Sequence, residues 1–119
     1  MVSKLTVRNS TQQPAADSVK VGRVTNANTG LYTVPAGRRA TVFSIRGNLD
    51  AVGADATYAV AILRGGTFTP IGAHIAVNGI SEYIGELMII AGDIITNIGD
   101  AGSTNGTMDM IASVKEFPA

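Results

Sequence analysis

The sequence predicts an all-β chain: an antiparallel β-sandwich, jelly-roll-like, of about eight strands with an extended N-terminal arm. Three observations lead there. Gly30 to Leu49 holds a short apolar run, a stop at Val34-Pro35-Ala36-Gly37 and then a long alternating run. Proline presets one turn torsion and glycine accepts a positive one, so Pro35 to Gly37 reverses the chain between two strands. A corner of similar design recurs at Ala91-Gly92-Asp93, between Leu87-Met88-Ile89-Ile90 and Ile94-Ile95. Composition is the third: 45% apolar residues, only 15% charged ones and 14 glycines in 119 residues favour turns and strands and disfavour disorder.

In chain order, residues 1–17 stand apart as an extended arm, polar and Pro-punctuated from Asn9 to Asp17. Leu5 and Val7 could add a short strand to a neighbour, and Lys4 and Arg8 make the arm basic, which suits docking on an acidic surface as well as a frayed terminus. Residues 18–119 form a single β-sandwich domain, a length sufficient for one modest core. Ser18 to Thr25 alternates Val19, Val21 and Val24 with polar partners, and Asn26-Ala27-Asn28 turns. Gly30 to Val34 is the short run before the proline corner. Arg39 to Leu49 is the longest clear strand, with Phe43, Ile45 and Leu49 on one face and Val42, Ser44, Arg46 and Asn48 on the other.

Asp50 to Asp55 is a loop. Thr57 to Arg64 is apolar on both faces, as a central strand should be. Gly65-Gly66 signals a hairpin, Thr67 to Gly72 pairs back with Pro70 marking an edge, and Ala73 to Val77 is a candidate extension before the Asn78-Gly79 turn. Ile80 to Ile90 is ambiguous. Ile80, Tyr83, Ile84, Leu87 and Met88 fit helical spacing, but Tyr83, Leu87 and Ile89 also alternate with Glu82 and Glu86, and the β-rich neighbours favour a strand. Ile94 to Ile98 follows the second corner, Gly99 to Gly106 is a loop, and Met108, Met110, Ala112 and Val114 alternate in a closing strand.

Formal net charge is zero but unevenly spread: eight basic and three acidic residues up to Arg64 give +5, and one basic and six acidic residues after it give −5. Folding can interleave these halves, or opposite patches can meet between subunits or against a partner. There is no strong basic bias of the kind that marks a nucleic-acid binder. No run approaches the roughly 20 apolar residues of a membrane helix, and Met1 to Ser10 lacks a secretory apolar segment. The expectation is a soluble chain made in the cytosol, with neither nucleic acid nor membrane as partner.

Catalytic readings lack parts, and the chain is expected not to be an enzyme and to need no cofactor or metal. Cysteine is absent and His74 is the single histidine, with no nucleophile signature around it. Glu82 and Glu86 imitate paired carboxylates only on a helix; on a strand they keep an outward face soluble. Asp100 to Asn105 lacks the alternating acids of a calcium loop, and Gly99 and Gly102 have no βαβ context for a dinucleotide. Asn9-Ser10-Thr11 and Asn105-Gly106-Thr107 match a glycosylation sequon, without a secretory signal to make it relevant. Three Tyr and three Phe with no Trp make no stacking platform for sugars or bases. Arg38-Arg39 beside the proline corner is the one basic pair placed for exposure.

The pairing of Leu31-Tyr32-Thr33-Val34-Pro35-Ala36-Gly37-Arg38-Arg39-Ala40 with Leu87-Met88-Ile89-Ile90-Ala91-Gly92-Asp93-Ile94-Ile95 resembles small virion structural proteins of tailed bacteriophages. Their chains often carry a "y-x-VPAGk-x-A" corner, an "l-x-x-GD-x-i" corner and a closing strand. The resemblance covers roughly Gly30 to Val114 and rests on motifs that encode β-corners and no chemistry; Arg38 stands where lysine is common. It implies a capsid decoration (cement) protein on the virion surface. Such a protein forms a homo-oligomer, a trimer at three-fold positions, and binds the major capsid protein across subunit junctions. Residues 1–17, with Lys4, Leu5, Val7 and Arg8, are the docking arm under this reading, and Arg38 and Arg39 a second contact. Two rivals are a receptor- or glycan-binding module of a tail or fibre, presented on Asp50 to Asp55 and Asp100 to Asn105, and a small cupin-like enzyme, which one histidine disfavours.

Overall fold

The computed structural model describes residues 16–25, 30–51, 57–76, 78–99 and 106–119. Among them every regular element is a strand: β1 (Ala16–Thr25), β2 (Tyr32–Thr33), β3 (Arg38–Ala51), β4 (Tyr58–Arg64), β5 (Thr67–Pro70), β6 (Ile80–Ile90), β7 (Ile94–Gly99) and β8 (Thr107–Pro118). They form two four-stranded sheets, ordered β1-β8-β3-β6 and β2-β7-β4-β5. All pairings are antiparallel. The pairs β1–β8, β2–β7, β3–β6 and β4–β5 are the rungs of one long hairpin. Rolling that ladder sets β3 beside β8 and β4 beside β7. This is the predicted jelly roll.

The tip of the rolled hairpin is Gly65-Gly66, with φ of 57° and 81°, the two positive torsions that a two-residue type I′ turn requires. Pro70 pairs with Ala61 on β5, an edge strand, where its missing N–H costs no ladder bond. Of the expected extension over residues 73–77, the described residues 73–76 make one bridge, Ile75 to Tyr58, and residue 77 lies outside the described residues. The turn that follows places Asn78 at φ 68° and lets the Gly79 N–H donate to the Ala76 carbonyl at 2.9 Å. Ile80 to Ile90 is a strand, because pairing along β3 from Asn48 to Arg39 overrides its helical spacing. β1 begins at Ala16, so the last two residues assigned to the arm belong to the sheet. Residues 1–15, with Lys4, Leu5, Val7 and Arg8, lie outside the described residues.

Two strands differ from their expected faces. The β3 ladder shifts register between Val42 and Ser44 against both β6 and β8. A bulge at Phe43 lets Val42 and Ile45 both point inward and be fully buried, with Gly47 and Leu49 following them. Plain alternation put Val42 on the outer side. In β1, Val19 and Val21 face outward because they register with Ser113 and Ile111, while β8 gives Met108, Met110, Ala112 and Val114 to the core. Lys20 points the other way and lies 4.9 Å over the Tyr32 ring.

The core between the sheets comprises Val24, Val42, Ile45, Leu49, Ile89, Met108, Met110 and Val114 from one side with Val34, Tyr58, Val60, Ile62 and Ile95 from the other. Buried polar groups cross it in pairs. The Ser81 hydroxyl accepts from Val60 N–H at 3.1 Å and donates to the Ala73 carbonyl at 2.7 Å. The Asn97 amide donates to the Val24 carbonyl at 3.1 Å. The Tyr58 hydroxyl accepts the Gly106 N–H at 2.8 Å. Replacement of Tyr58 by Phe removes that acceptor and strands a buried amide, so Tyr58→Phe is expected to lower unfolding free energy by about 1–3 kcal/mol, read as a lower urea midpoint at unchanged m-value.

Candidate functional site

At one end of the barrel the two sequence corners meet. The Arg38 N–H donates to Pro35 O at 3.1 Å across Ala36-Gly37, and the Asp93 N–H donates to Ile90 O at 2.9 Å across Ala91-Gly92. The third residue of each turn is a glycine at positive φ, 76° at Gly37 and 88° at Gly92, a torsion other residues resist. The turns are bonded to each other: Val34 N–H donates to Asp93 O at 3.0 Å and Gly92 N–H donates to Val34 O at 2.9 Å. The buried Asp93 carboxylate accepts both Arg64 Nε (2.8 Å) and Nη2 (2.5 Å), and the Ile90 N–H at 2.8 Å. Burial alone would raise this carboxyl. The bonds from Arg64 and Ile90 and the guanidinium charge more than offset that, and hold it below the usual carboxylate range.

The Arg38-Arg39 pair is divided by the strand it occupies, since successive side chains point to opposite faces. Arg38 is half-buried and its Nε donates to Glu116 Oε1 at 3.0 Å, while the Tyr32 hydroxyl donates to Glu116 Oε2. The Tyr32 bond is the largest influence holding Glu116 below the ordinary range; burial opposes it, and the bond and charge of Arg38 and the charge of Lys20 add to it. Burial, then the bond to Glu116, push the Tyr32 hydroxyl up. Arg39 is exposed, its guanidinium 5.6 Å from the Phe117 ring centre. Of this pair only Arg39 is presented outward. β1 starts at the same end, with Ala16 opposite Glu116.

The most distinctive surface lies elsewhere, and sequence reasoning missed it. Seven large apolar side chains are exposed among the described residues: Val19, Val21, Ile80, Ile84, Met88, Ile90 and Ile111. All seven belong to the outer face of the β1-β8-β3-β6 sheet, with Ile84 at 75% and Val21 at 73% exposure. On the other sheet Ala59, Ala61 and Thr96 are fully buried on the outward side. A shallow groove of about 320 Å³ crosses the exposed face over Ser44 and Ser113, rimmed by Val19, Ile84, Ile111, Arg46 and Glu82. A second cavity of about 230 Å³ opens between β5 and β6 and is lined mainly by Ile62, Ile71, Leu87, Met88 and Ile89, with Arg64 and Thr69. Contiguous apolar surface of this kind marks contact with another macromolecule more often than chemistry on a small one.

Glu82 and Glu86 do point outward together, on this face. Among the described residues no group of His, Asp and Glu is placed to hold a metal ion, and no helix is long and apolar enough to cross a membrane. Comparison with known protein families, with curated proteins and with solved structures gives no match.

The joined corners generate a pH prediction. A carboxyl whose folded pKa lies below its unfolded value contributes stability that is complete above the unfolded value and is lost as pH falls through the folded one. Asp93→Ala is expected to cost about 2 kcal/mol near pH 7, and the gap to the parent should close as pH drops below about 4, the ordinary carboxylate range. Urea unfolding at several pH values reads this directly.

Proposed function

We propose that this chain is a non-enzymatic structural protein of a bacteriophage virion. In this reading it is a decoration or cement protein that self-associates and binds across the major capsid subunits on the shell surface. The observation that carries this reading is the confinement of every exposed large apolar side chain among the described residues to the outer face of one sheet. Leaving that much apolar surface in water is unfavourable at about 25 cal/mol per Å², so it belongs to a molecule whose working state is an assembly. The joined corners support it in a second way. The two motifs that carry the resemblance to small tailed-phage virion proteins are one hydrogen-bonded unit at Val34, Gly92 and Asp93.

The mechanism is linkage. A protein that binds the assembled shell and not its separated subunits stabilises the shell by mass action. Residues 1–15 and Arg39 are the shell contact under this proposal. Arg38 serves it indirectly, because its guanidinium is held by Glu116.

The test is the light-scattering mass of the purified chain, full length and lacking residues 1–15, alone and mixed with phage shells that lack this component. An oligomer that binds shells only with its arm is the expected result. Shells ignored by both forms would overturn the reading and turn attention to tail or fibre.

A further inference from the structure

The seven exposed apolar side chains fall into two strips. Val19 and Val21 on β1 with Ile111 on β8 make one; Ile80, Ile84, Met88 and Ile90 on β6 make the other. Between them β8 and β3 raise a polar band of Asp109, Ser113 and Lys115 beside Thr41, Ser44, Arg46 and Asn48. Most charges of this face are satisfied within it. Arg23 bonds Asp109 through Nε (2.8 Å) and Nη2 (3.0 Å) and Asp50 through Nη1 (2.8 Å). Arg46 stands 3.9 Å from Glu82, and Arg39 lies over Phe117. Apart from Arg39, which only stacks on Phe117, two charges on the face make no ion pair or hydrogen bond with a described side chain: Lys115, across the ladder from Asp17, and Glu86. They stand on opposite halves of the face.

We propose that a second copy of this chain covers this face, the β1–β8 half of one copy lying on the β6 half of its neighbour. Val19, Val21 and Ile111 pack on Ile84 and Met88, and Lys115 meets Glu86. This rests on the assembly reading for its purpose, but not for its evidence.

Three features select a second copy, and unlike halves, over other arrangements. Area comes first. Four strands spaced about 4.8 Å apart and about ten residues long at about 3.3 Å each present roughly 600 Å². Two such faces reach about 1,200 Å², the threshold of a stable interface. Charge is second: with most of its ions paired at home, the face offers a strongly charged partner little to recognise, whereas a copy of itself brings the same balance. The third is the asymmetry of the halves. On β6 Glu82 is met by Arg46 of β3 and Glu86 is left unpaired, so like on like would set two unpaired carboxylates together, an arrangement that costs affinity. The opposite half presents Lys115 unpaired, its Arg23 being held by Asp109 and Asp50.

The experiment is sedimentation equilibrium of the full-length chain over a wide concentration range, with circular dichroism to establish that each variant is folded. The parent should associate. Glu86→Lys and Lys115→Glu should each weaken association by about tenfold or more, since each sets like charges face to face. The double variant Glu86→Lys/Lys115→Glu should return to within about threefold of the parent, and Ile84→Asp should be monomeric. Three results would each overturn the proposal: a monomeric parent at millimolar concentration, single reversals without effect, or a double reversal no better than its parents. The last would mean that like halves meet. Shell binding is scored separately. A chain that follows the reversal pattern yet ignores shells loses the cement role and keeps this contact, and a monomer that binds shells does the opposite.

Discussion

The rest of the barrel depends on a single residue's backbone. Val34 gives its N–H to Asp93 and takes the N–H of Gly92, so the turn that carries the chain from β2 to β3 and the turn that carries it from β6 to β7 are one object. Each of those turns crosses from one sheet to the other. Joining them therefore fixes the spacing of the sheets at that end, and the core inherits it. The C-terminus is drawn into the same knot, with Ala119 N–H donating to Gly37 O at 2.9 Å. Asp93 is the side chain this arrangement can least spare. Its carboxylate closes its own turn through Ile90 and reaches β4 through Arg64, which remains largely in solvent.

The two sheets divide the work. The β2-β7-β4-β5 sheet is closed to water on its central strand, where Tyr58 to Ile62 are all buried. The β1-β8-β3-β6 sheet gives one face to the core and leaves the other half apolar. Its edges are β1 and β6, ten and eleven residues long, and neither carries a proline to block pairing. Edges this long, next to apolar strips, are a liability for a chain that stays alone. They are consistent with a chain that does not.

Much of the fold was legible because it is written in local chemistry. Glycine at the third position of both corners, Gly65-Gly66 at the hairpin tip and Pro70 on an edge each demand one backbone conformation. The faces of β1 and β3 were not legible, since they depend on partners distant in sequence. Val19 and Val21 look like core until Ser113 and Ile111 are set beside them, and Phe43 looks like an ordinary strand residue until a bulge removes it from the count. The one available clue was that β1, β6 and β8 together hold more apolar residues than one inner face can take. The candidate surface escaped for the same reason. Apolar side chains carry no spacing signature for assembly, whereas the basic pair that attracted notice is split, Arg38 being tied to Glu116.

Rolling one long hairpin also sets an order in time. The tip, β4 with β5, closes over a two-residue turn, but Asp17 meets Lys115 only after almost the whole chain has been gathered. Loop closure of that span makes β1–β8 the entropically costliest rung and so the last to form. One strip of the exposed face lies on β6, paired to β3 within the middle of the ladder; the other exists only once β1 and β8 have met. An incompletely folded chain thus lacks half of the surface, and a contact that needs both halves would reject it without any separate checkpoint.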